Sequence, residues 1–275
     1  MVVIHRVSLR ATEVQRRKLQ ALGVKVPAGV VLPGGGAPHV AFDVGEDHPN
    51  WDTLHRLFRE WDAGDFVSTR FSKAEIEAAK AVALVPDWHH GYPQPDELDF
   101  GYRKATYDLT DWCAECGIGL KQKAPFRMKR EPKWGRRAIL QLNWVFDEYF
   151  VTPEIWSSVF KRRGIACRSV TNRKGAELKT VVQLVVEEVV GIVTDGLTPE
   201  RCAECGRVKY LPVTRGFFPA LTTKPTGAIV KTREYFGSGA AAHKRVLVSQ
   251  ELARALVAAK GRGAYSATLT SSLVP

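Results

Sequence analysis

The pattern of apolar and polar positions in the first quarter of the chain predicts strands alternating with helices. Strands are expected over residues 2–9, 39–44 and 65–70. Helices are expected over residues 11–22 and 51–61, where apolar side chains recur at helical spacing. The first of these helices is followed by a glycine, a common helix stop. A mixed α and β region therefore opens the chain.

Ser72 and Glu75 have the spacing of a capping box, in which each side chain accepts from the other's backbone N–H, and they predict a further helix start. Residues 86–99 contain three prolines and a glycine, and are expected to form a loop. We therefore predict an N-terminal α+β region over residues 1–100 and a second α+β domain over residues 101–275.

The second region is richer in strands. Residues 138–146 (AILQLNWVF) predict one strong strand, and residues 180–193 predict another strand region. Two segments share a pattern of strand, Ser/Thr cap, Glu in the first helical turn and Gly twelve residues after the cap: Phe150-Val151, Thr152, Glu154 and Gly164, and Leu247-Val248, Ser249, Glu251 and Gly261. The predicted fold class is α+β, with strand–helix–strand units on mixed sheets.

The pentapeptide CAECG occurs twice, at Cys113–Gly117 and at Cys202–Gly206, with 85 residues between Cys116 and Cys202. A CxxC turn presents two sulfurs to one metal ion, and two such knuckles complete the tetrahedral four-thiolate site typical of structural zinc. Ordinary zinc ribbons separate the two pairs by roughly 15–20 residues. Here the fold must bring together the four ligands from distant segments, and these are Cys113, Cys116, Cys202 and Cys205.

Other interpretations of the cysteines remain open at this point. The CxxC pairs could be redox dithiols, although such motifs usually open a helix after a strand. The metal could also be absent, or each knuckle could belong to a separate site completed by other residues. Cys167 stands alone and is expected to be a small buried residue rather than a fifth ligand.

Composition indicates a protein with a sizeable core: 45% of the residues are hydrophobic and 25% are charged. The absence of a long apolar run predicts that the chain neither spans a membrane nor begins with a secretion signal. The cytoplasm is the expected location. The formal net charge of +11 favours anionic partners such as nucleic acid or an acidic protein surface.

A basic run follows the first knuckle. Residues 121–137 hold eight Lys or Arg and one Glu, with Phe126 and Trp134 interleaved. Cations can contact phosphates and aromatic rings can stack on bases, although a solvated basic hairpin or a protein-binding face has the same composition. The candidate binding residues for a protein or nucleic acid are Phe126, Arg127, Lys129, Arg130, Lys133, Trp134, Arg136 and Arg137.

Catalysis has weaker support in the sequence. Regions around His48 and His89 contain histidines and acids, but HExxH, GxSxG and deaminase-type zinc motifs are absent. His48 is expected to lie in a turn entering a helix, and His89 in a loop. An enzyme with a site near these histidines is the third hypothesis, after a binding protein and a nucleic-acid-binding protein.

The two knuckles, the strand–helix unit between them and the ending VLVSQELARALVAAKGRGAYSA resemble the bacterial double-CXXCG family, best known from myxobacteria. The resemblance covers roughly residues 107–275. It implies an immunity protein of the swarm-inhibition type, which protects against lipoprotein toxins delivered by neighbouring cells. The resulting prediction is a zinc-stabilised, non-catalytic, cytoplasmic inhibitor of a partner toxin, and the alternative is a zinc-containing nucleic-acid-binding protein.

Overall fold

The computed structural model describes residues 1–96 and 100–260, together with the backbone of residues 273–274. Helices and extensive sheets with both parallel and antiparallel pairs are present, so the predicted α+β fold is confirmed. The chain divides into two compact units. The first holds Met1–Glu75 and Thr214–Gly216, and the second holds the remainder.

The first unit contains a three-stranded sheet and two main helices. Its elements are β1 (Val2–Arg10), α1 (Glu13–Ala21), β2 (His39–Gly45), α2 (Trp51–Glu60) and β3 (Gly64–Arg70). β1 lies between β2 and β3 and is antiparallel to both. Val7 and Phe42 from the sheet pack with Leu19 of α1 and with Leu54 and Phe58 of α2 in one buried cluster. The predicted order of strands alternating with helices is confirmed. Both helices cover the same face of the sheet.

α3 (Lys73–Ala78) begins at the predicted capping box. The Glu75 N–H donates to Ser72 Oγ over 3.3 Å, and the Ser72 N–H donates to Glu75 Oε2 over 2.7 Å. These reciprocal bonds satisfy backbone donors that the first helical turn leaves unpaired. The N-terminal ammonium of Met1 binds the same carboxylate and, with Ser72, lowers the pKa of Glu75 to about 2.

The unit boundary lies at residue 75 rather than near residue 100. β4 (Ala81–Ala83) and β5 (Trp88–His89) follow it, and each joins a sheet made of later strands. β5 lies inside the segment predicted to be a loop, where it pairs in parallel with residues 140–141. This proline-rich segment does not separate two units. The strand within it pairs with residues much later in the sequence, and that pairing places the segment inside the second unit.

The second unit contains two large sheets. Its remaining helices are α4 (Tyr102–Thr106), α5 (Pro153–Ile155) and α6 (Gln250–Lys260). Its remaining strands are β6 (Tyr107–Asp108), β7 (Lys121–Gln122), β8 (Arg127–Met128), β9 (Ile139–Leu142), β10 (Val145–Val151), β11 (Cys167–Asn172), β12 (Glu177–Leu184), β13 (Val189–Val190), β14 (Pro199–Arg201), β15 (Val208–Tyr210), β16 (Ile229–Phe236), β17 (His243–Ser249) and β18 (Leu273–Val274).

The sheet order explains how distant segments meet. One sheet runs β5-β9-β10-β12-β11-β8, and the other runs β14-β15-β16-β17-β4-β18 with β13 beside β16. β6 and β7 form a separate two-stranded ribbon. The first knuckle lies in the connection between β6 and β7, and the second lies in the turn between β14 and β15.

The strand predicted over residues 138–146 is two strands joined by a tight turn. β9 and β10 pair in an antiparallel hairpin, and Trp144 in the turn has a φ of +66°. A left-handed tryptophan is uncommon because its Cβ crowds the backbone. The Asn143 N–H donates to Gly91 O over 2.8 Å, which helps to hold the turn. Only this tertiary contact marks the reversal, since the apolar pattern continues through it.

Both predicted strand–cap–helix segments are present. Thr152 Oγ1 accepts from the Ile155 N–H over 3.2 Å, and Ser249 Oγ accepts from the Leu252 N–H over 3.2 Å. After α5 the chain continues as a π-helical turn over Trp156–Phe160 and a 3-10 turn, and the segment ends at a left-handed Gly164. The matching glycine of the second segment, at position 261, lies outside the described residues.

Candidate metal centre

The two CAECG motifs fold into the same backbone turn. The Gly117 N–H donates to Cys113 O over 2.9 Å, and the Gly206 N–H donates to Cys202 O over the same distance. Each turn is closed by a further bond from the first cysteine's N–H, to Ile118 O or Arg207 O, also at 2.9 Å. The repeated pentapeptide is therefore a repeated structure that presents two sulfurs on one side.

The four predicted ligand sulfurs converge, and their atoms all lie within 4.8 Å of one another. Cys113 Sγ lies 3.8 Å from Cys202 Sγ, and Cys116 Sγ lies 3.6 Å from Cys205 Sγ. A tetrahedron of sulfurs each about 2.3 Å from one ion has edges of about 3.8 Å. The group can therefore hold a metal ion with four thiolates, and all five cysteines of the chain are free thiols.

The two knuckles differ in their surroundings. Cys113 and Cys116 are buried together with Ile118, whereas Cys202 is half-buried and Cys205 is exposed. Tyr235 packs against the same cluster. The first knuckle therefore lies in the interior of the second unit, and the second knuckle lies next to it at the surface.

The thiol pKa values follow this difference. Arg207 Nε donates to Cys205 Sγ over 3.3 Å, and this hydrogen bond lowers the pKa of Cys205 to about 6. Burial raises the pKa of Cys116 to about 12. A buried thiolate requires a cation beside it, because desolvation disfavours the charged form. A bound metal ion would supply that cation.

Lys209 links the second knuckle to the first, and the sequence analysis missed it. Its side chain is 1% exposed, and its Nζ donates to Cys116 O over 3.3 Å. The same ammonium donates to the carbonyls of Gly239 and Ala241 and faces Glu200 at 3.2 Å. The signal available in the sequence was a lysine three residues after the glycine of the second knuckle, on a short strand. One buried cation therefore fixes the backbone of the first knuckle from the strand that follows the second.

The two knuckle glycines form a natural matched pair. Both are left-handed, with φ values of +79° for Gly117 and +71° for Gly206. A Cβ on Gly117 would lie 2.4 Å from Ala240 O, whereas a Cβ on Gly206 would meet no atom within 4 Å. Backbone strain is common to both positions, and steric conflict is confined to the first.

We expect Gly117→Ala to destabilise the protein by more than about 3 kcal/mol, and Gly206→Ala by about 1–2 kcal/mol, the cost of a left-handed alanine alone. The clash at Gly117 is with backbone, which cannot move aside as a flexible side chain would. Urea unfolding of both variants measures the difference. Equal losses would show that the loop at Ala240 does not pack on the first knuckle.

Phe126 of the basic run lies in the protein core and not on a binding surface. This residue is completely buried, with its ring against Tyr107 and Phe150. β8, which follows it, pairs in parallel with β11, so Phe126 enters the core of the sheet. The prediction that Phe126 contacts a partner is wrong, because its apolar ring contributes to folding and is inaccessible.

The other seven candidate binding residues of the run lie near the surface. Arg127 and Trp134 are half-buried, and Lys129, Arg130, Lys133, Arg136 and Arg137 are exposed. Trp134 Nε1 donates to Thr180 O over 2.8 Å. The Arg137 guanidinium lies 4.8 Å from the centre of the Trp88 ring. These contacts leave a surface of cations beside two partly buried tryptophans.

The histidines and Cys167 lie apart from the cysteine cluster. His48 Nδ1 accepts from the Asn50 N–H over 3.2 Å in the turn that enters α2, as predicted. His89 is exposed on β5. Cys167 is half-buried at the start of β11. Within residues 1–96 and 100–260, the four cysteines are the one group of His, Cys, Asp or Glu side chains spaced to hold a metal.

A buried histidine that the sequence analysis did not select lies in the first unit. His5 is 1% exposed and bridges two carboxylates, with Nδ1 2.8 Å from Asp65 and Nε2 3.0 Å from Glu46. Arg215 binds the same Glu46 carboxylate, whose pKa is lowered chiefly by the His5 hydrogen bond. The network ties β1 and β3 to the short 214–216 segment.

Comparisons with family models, with curated proteins and with solved structures each found no significant match to this chain. Among the described residues, every helix is too short or too polar to cross a membrane. The double-CXXCG resemblance therefore stays a prediction that rests on the motifs themselves.

Proposed function

We propose that the four-cysteine cluster holds one structural zinc ion. The proposal is carried by one observation, the convergence of four sulfurs within 4.8 Å from knuckles 85 residues apart. Four cysteine thiolates suit zinc in size, charge and tetrahedral geometry. Cys113, Cys116, Cys202 and Cys205 would be its ligands. The ion would cross-link two distant segments of the second unit.

A zinc ion with four protein ligands has no open position for water, so a hydrolytic role for it is disfavoured. Within the described part of the chain, His48 Nδ1 accepts from a backbone N–H and His89 lies exposed on β5, and neither imidazole is hydrogen-bonded to a Ser, Thr or Cys side chain. These observations support a binding protein rather than an enzyme. Free thiol ligands also favour a reducing compartment, and we propose the cytoplasm.

The finer proposal is an immunity-type inhibitor, which rests on the double-CXXCG resemblance. The binding surface we assign consists of the half-buried Trp134 and five exposed cations of the basic run, Lys129, Arg130, Lys133, Arg136 and Arg137. Arg and Trp are favoured anchors at protein interfaces. The complementary partner is a protein with an acidic surface, and an interface of ordinary size would bury roughly 1,200–2,000 Å².

Co-expression with the product of an adjacent toxic gene is expected to restore growth, and the two proteins are expected to co-purify in a fixed ratio. Changing Lys129, Arg130, Arg136 and Arg137 to Ala should abolish both effects. A matched control removes four other exposed cations of the second unit, Lys161, Arg162, Arg168 and Lys174, and should retain them. Equal behaviour of the two variants would refute the assigned surface.

The runner-up is a nucleic-acid-binding protein that uses the same cations. Its support is the exposure of five Lys or Arg beside Trp88 and Trp134. In that case the first quadruple variant would bind nucleic acid more weakly and with a flatter salt dependence, because the slope counts the phosphates neutralised. Nanomolar, sequence-selective binding without growth rescue would replace the inhibitor proposal.

A further inference from the structure

The sheet of the first unit has a face that neither α1 nor α2 covers. Both helices pack against Val7, Leu9 and their neighbours on β2. Side chains alternate along a strand, so the intervening residues of β1 project from the opposite face. Arg6 and Arg10 are exposed there, with side-chain exposure of 60% for Arg6. Ile4, near the start of β1, is buried on this face, and the exposed part of the central strand is lined by the polar and charged side chains of Arg6, Ser8 and Arg10.

Phe66 is an apolar exception on this face. It lies directly opposite Arg6 in the β1–β3 register, so the two side chains share the face. The residue is 65% exposed, and its ring makes no aromatic or cation contact with any described residue. Most of the Phe66 ring stays in water after folding, so folding gains no stability from burying that apolar surface. A ligand lying on the ring would remove the surface from water.

A row of small residues lies next to Phe66. Ser8 pairs with Gly64 on one side and with Ala41 on the other, and this row is one step along the sheet from the Phe66 row. A Cβ on Gly64 would lie 2.8 Å from Ser8 Oγ, so a larger residue would fill the space. The small side chains of Ser8, Gly64 and Ala41 therefore form a low floor beside the exposed ring.

The charges around this floor are mainly positive. Arg6, Arg10 and Arg70 provide three guanidinium groups on the face against one carboxylate, Asp43. Asp43 lies 3.1 Å from Arg6 and 3.7 Å from Arg70, and Arg10 has no ion-pair partner among the described residues. The floor is therefore bordered by cations on the side away from Asp43, where Arg10 extends the same strand.

We propose that this open sheet face, formed by Arg6, Ser8, Arg10, Gly64 and Phe66, binds single-stranded nucleic acid. A base stacks on the Phe66 ring over the small-residue floor, and phosphates contact Arg10 and Arg6. Flat sheets that carry exposed aromatic rings and cations recognise single strands by this combination. The site accepts any base, because every base has a π face that can stack on the ring and the floor has few hydrogen-bonding groups to read the base. This inference goes beyond the inhibitor proposal and uses a different surface.

The test measures fluorescence anisotropy of the full zinc-loaded chain with labelled oligo(dT) and oligo(rU) of about 12 nucleotides. Phe66→Ala is expected to weaken binding about tenfold, through loss of one stacking contact, and Phe66→Trp is expected to retain it. Arg10→Ala should lower the slope of log affinity against log salt by about one. Both Phe66 and Arg10 are exposed, and circular dichroism checks that each of the three variants folds.

Two controls lie in the second unit. Phe146 is 43% exposed and is replaced by Ala as the aromatic control, and Arg162→Ala is the charge control. Neither should change binding. The proposal is overturned by absent binding at about 50 mM salt, by equal losses in Phe146→Ala, or by loss only when the basic run is changed. Self-association that Phe66→Ala removes would assign the face to a protein contact and also overturns it.

Discussion

Replacing Cys202 by serine is expected to abolish zinc binding at the proposed site and to lower the Tm by about 10 °C or more. Binding of structural zinc contributes on the order of 10 kcal/mol of folding free energy in small zinc peptides. A larger unit with its own core depends on the metal less, and a loss of about 3–5 kcal/mol corresponds to this Tm shift for a domain of this size. Metal analysis should give about one zinc per wild-type chain and almost none in the variant.

Cys167→Ser is the matched control, since it makes the same chemical change at a half-buried thiol outside the cluster. Its effect should be small, and its zinc content unchanged. Equal effects of the two substitutions would mean that the ligands are misassigned. A metal-free wild-type protein, fully folded and with a disulfide inside either CAECG motif, would contradict the zinc proposal itself.

Lys209→Met is expected to destabilise the protein by about 3 kcal/mol and to weaken zinc binding by about 10–100-fold, as removal of a ligand-supporting group does elsewhere. The ammonium is buried and is shared by the carbonyls of Cys116, Gly239 and Ala241. Methionine has a similar volume but no donor, so these carbonyls and Glu200 would lose a partner. Zinc affinity is measured by competition with a chelator, and stability by urea unfolding.

The control is Lys121→Met, at an exposed lysine just after the first knuckle whose side chain binds Asp111. Its side chain is 68% exposed, and an ion pair at such a position contributes less than about 1 kcal/mol. If Lys121→Met and Lys209→Met weaken zinc binding equally, Lys209 acts only through net charge. If Lys209→Met unfolds the chain without changing zinc affinity in the folded fraction, the Lys209 ammonium stabilises the sheet and not the first knuckle.

The first unit could be predicted closely because its information is local. The strands over residues 2–9, 39–44 and 65–70 differ from the observed β1, β2 and β3 by one residue at an end. Alternation of apolar and polar residues sets one buried face, and the Ser72–Glu75 cap needs only residues three apart. The four cysteines that cluster were also predictable, since each CxxCG motif fixes two sulfurs close together before any tertiary contact forms.

Contacts between distant residues were not predictable in the same way. The pattern of residues 138–146 continues through the turn at Trp144, and the contact of Asn143 with Gly91 settles the reversal. The end of the first unit at Glu75 depends on β4 pairing with β17, which lies more than a hundred residues later. Phe126 looked like a surface aromatic among cations, yet the pairing of β8 with β11 buries it.

The sequence by itself therefore determined the α+β pattern, the helix caps and the identity of the four sulfurs, because each depends on residues within a few positions of one another. Only the tertiary structure decided that the two knuckles share one site and that Lys209 joins them. It also decided which glycine is packed, Gly117 rather than Gly206. The two pentapeptides are identical in sequence, so the difference between them arises from what the rest of the fold packs against each.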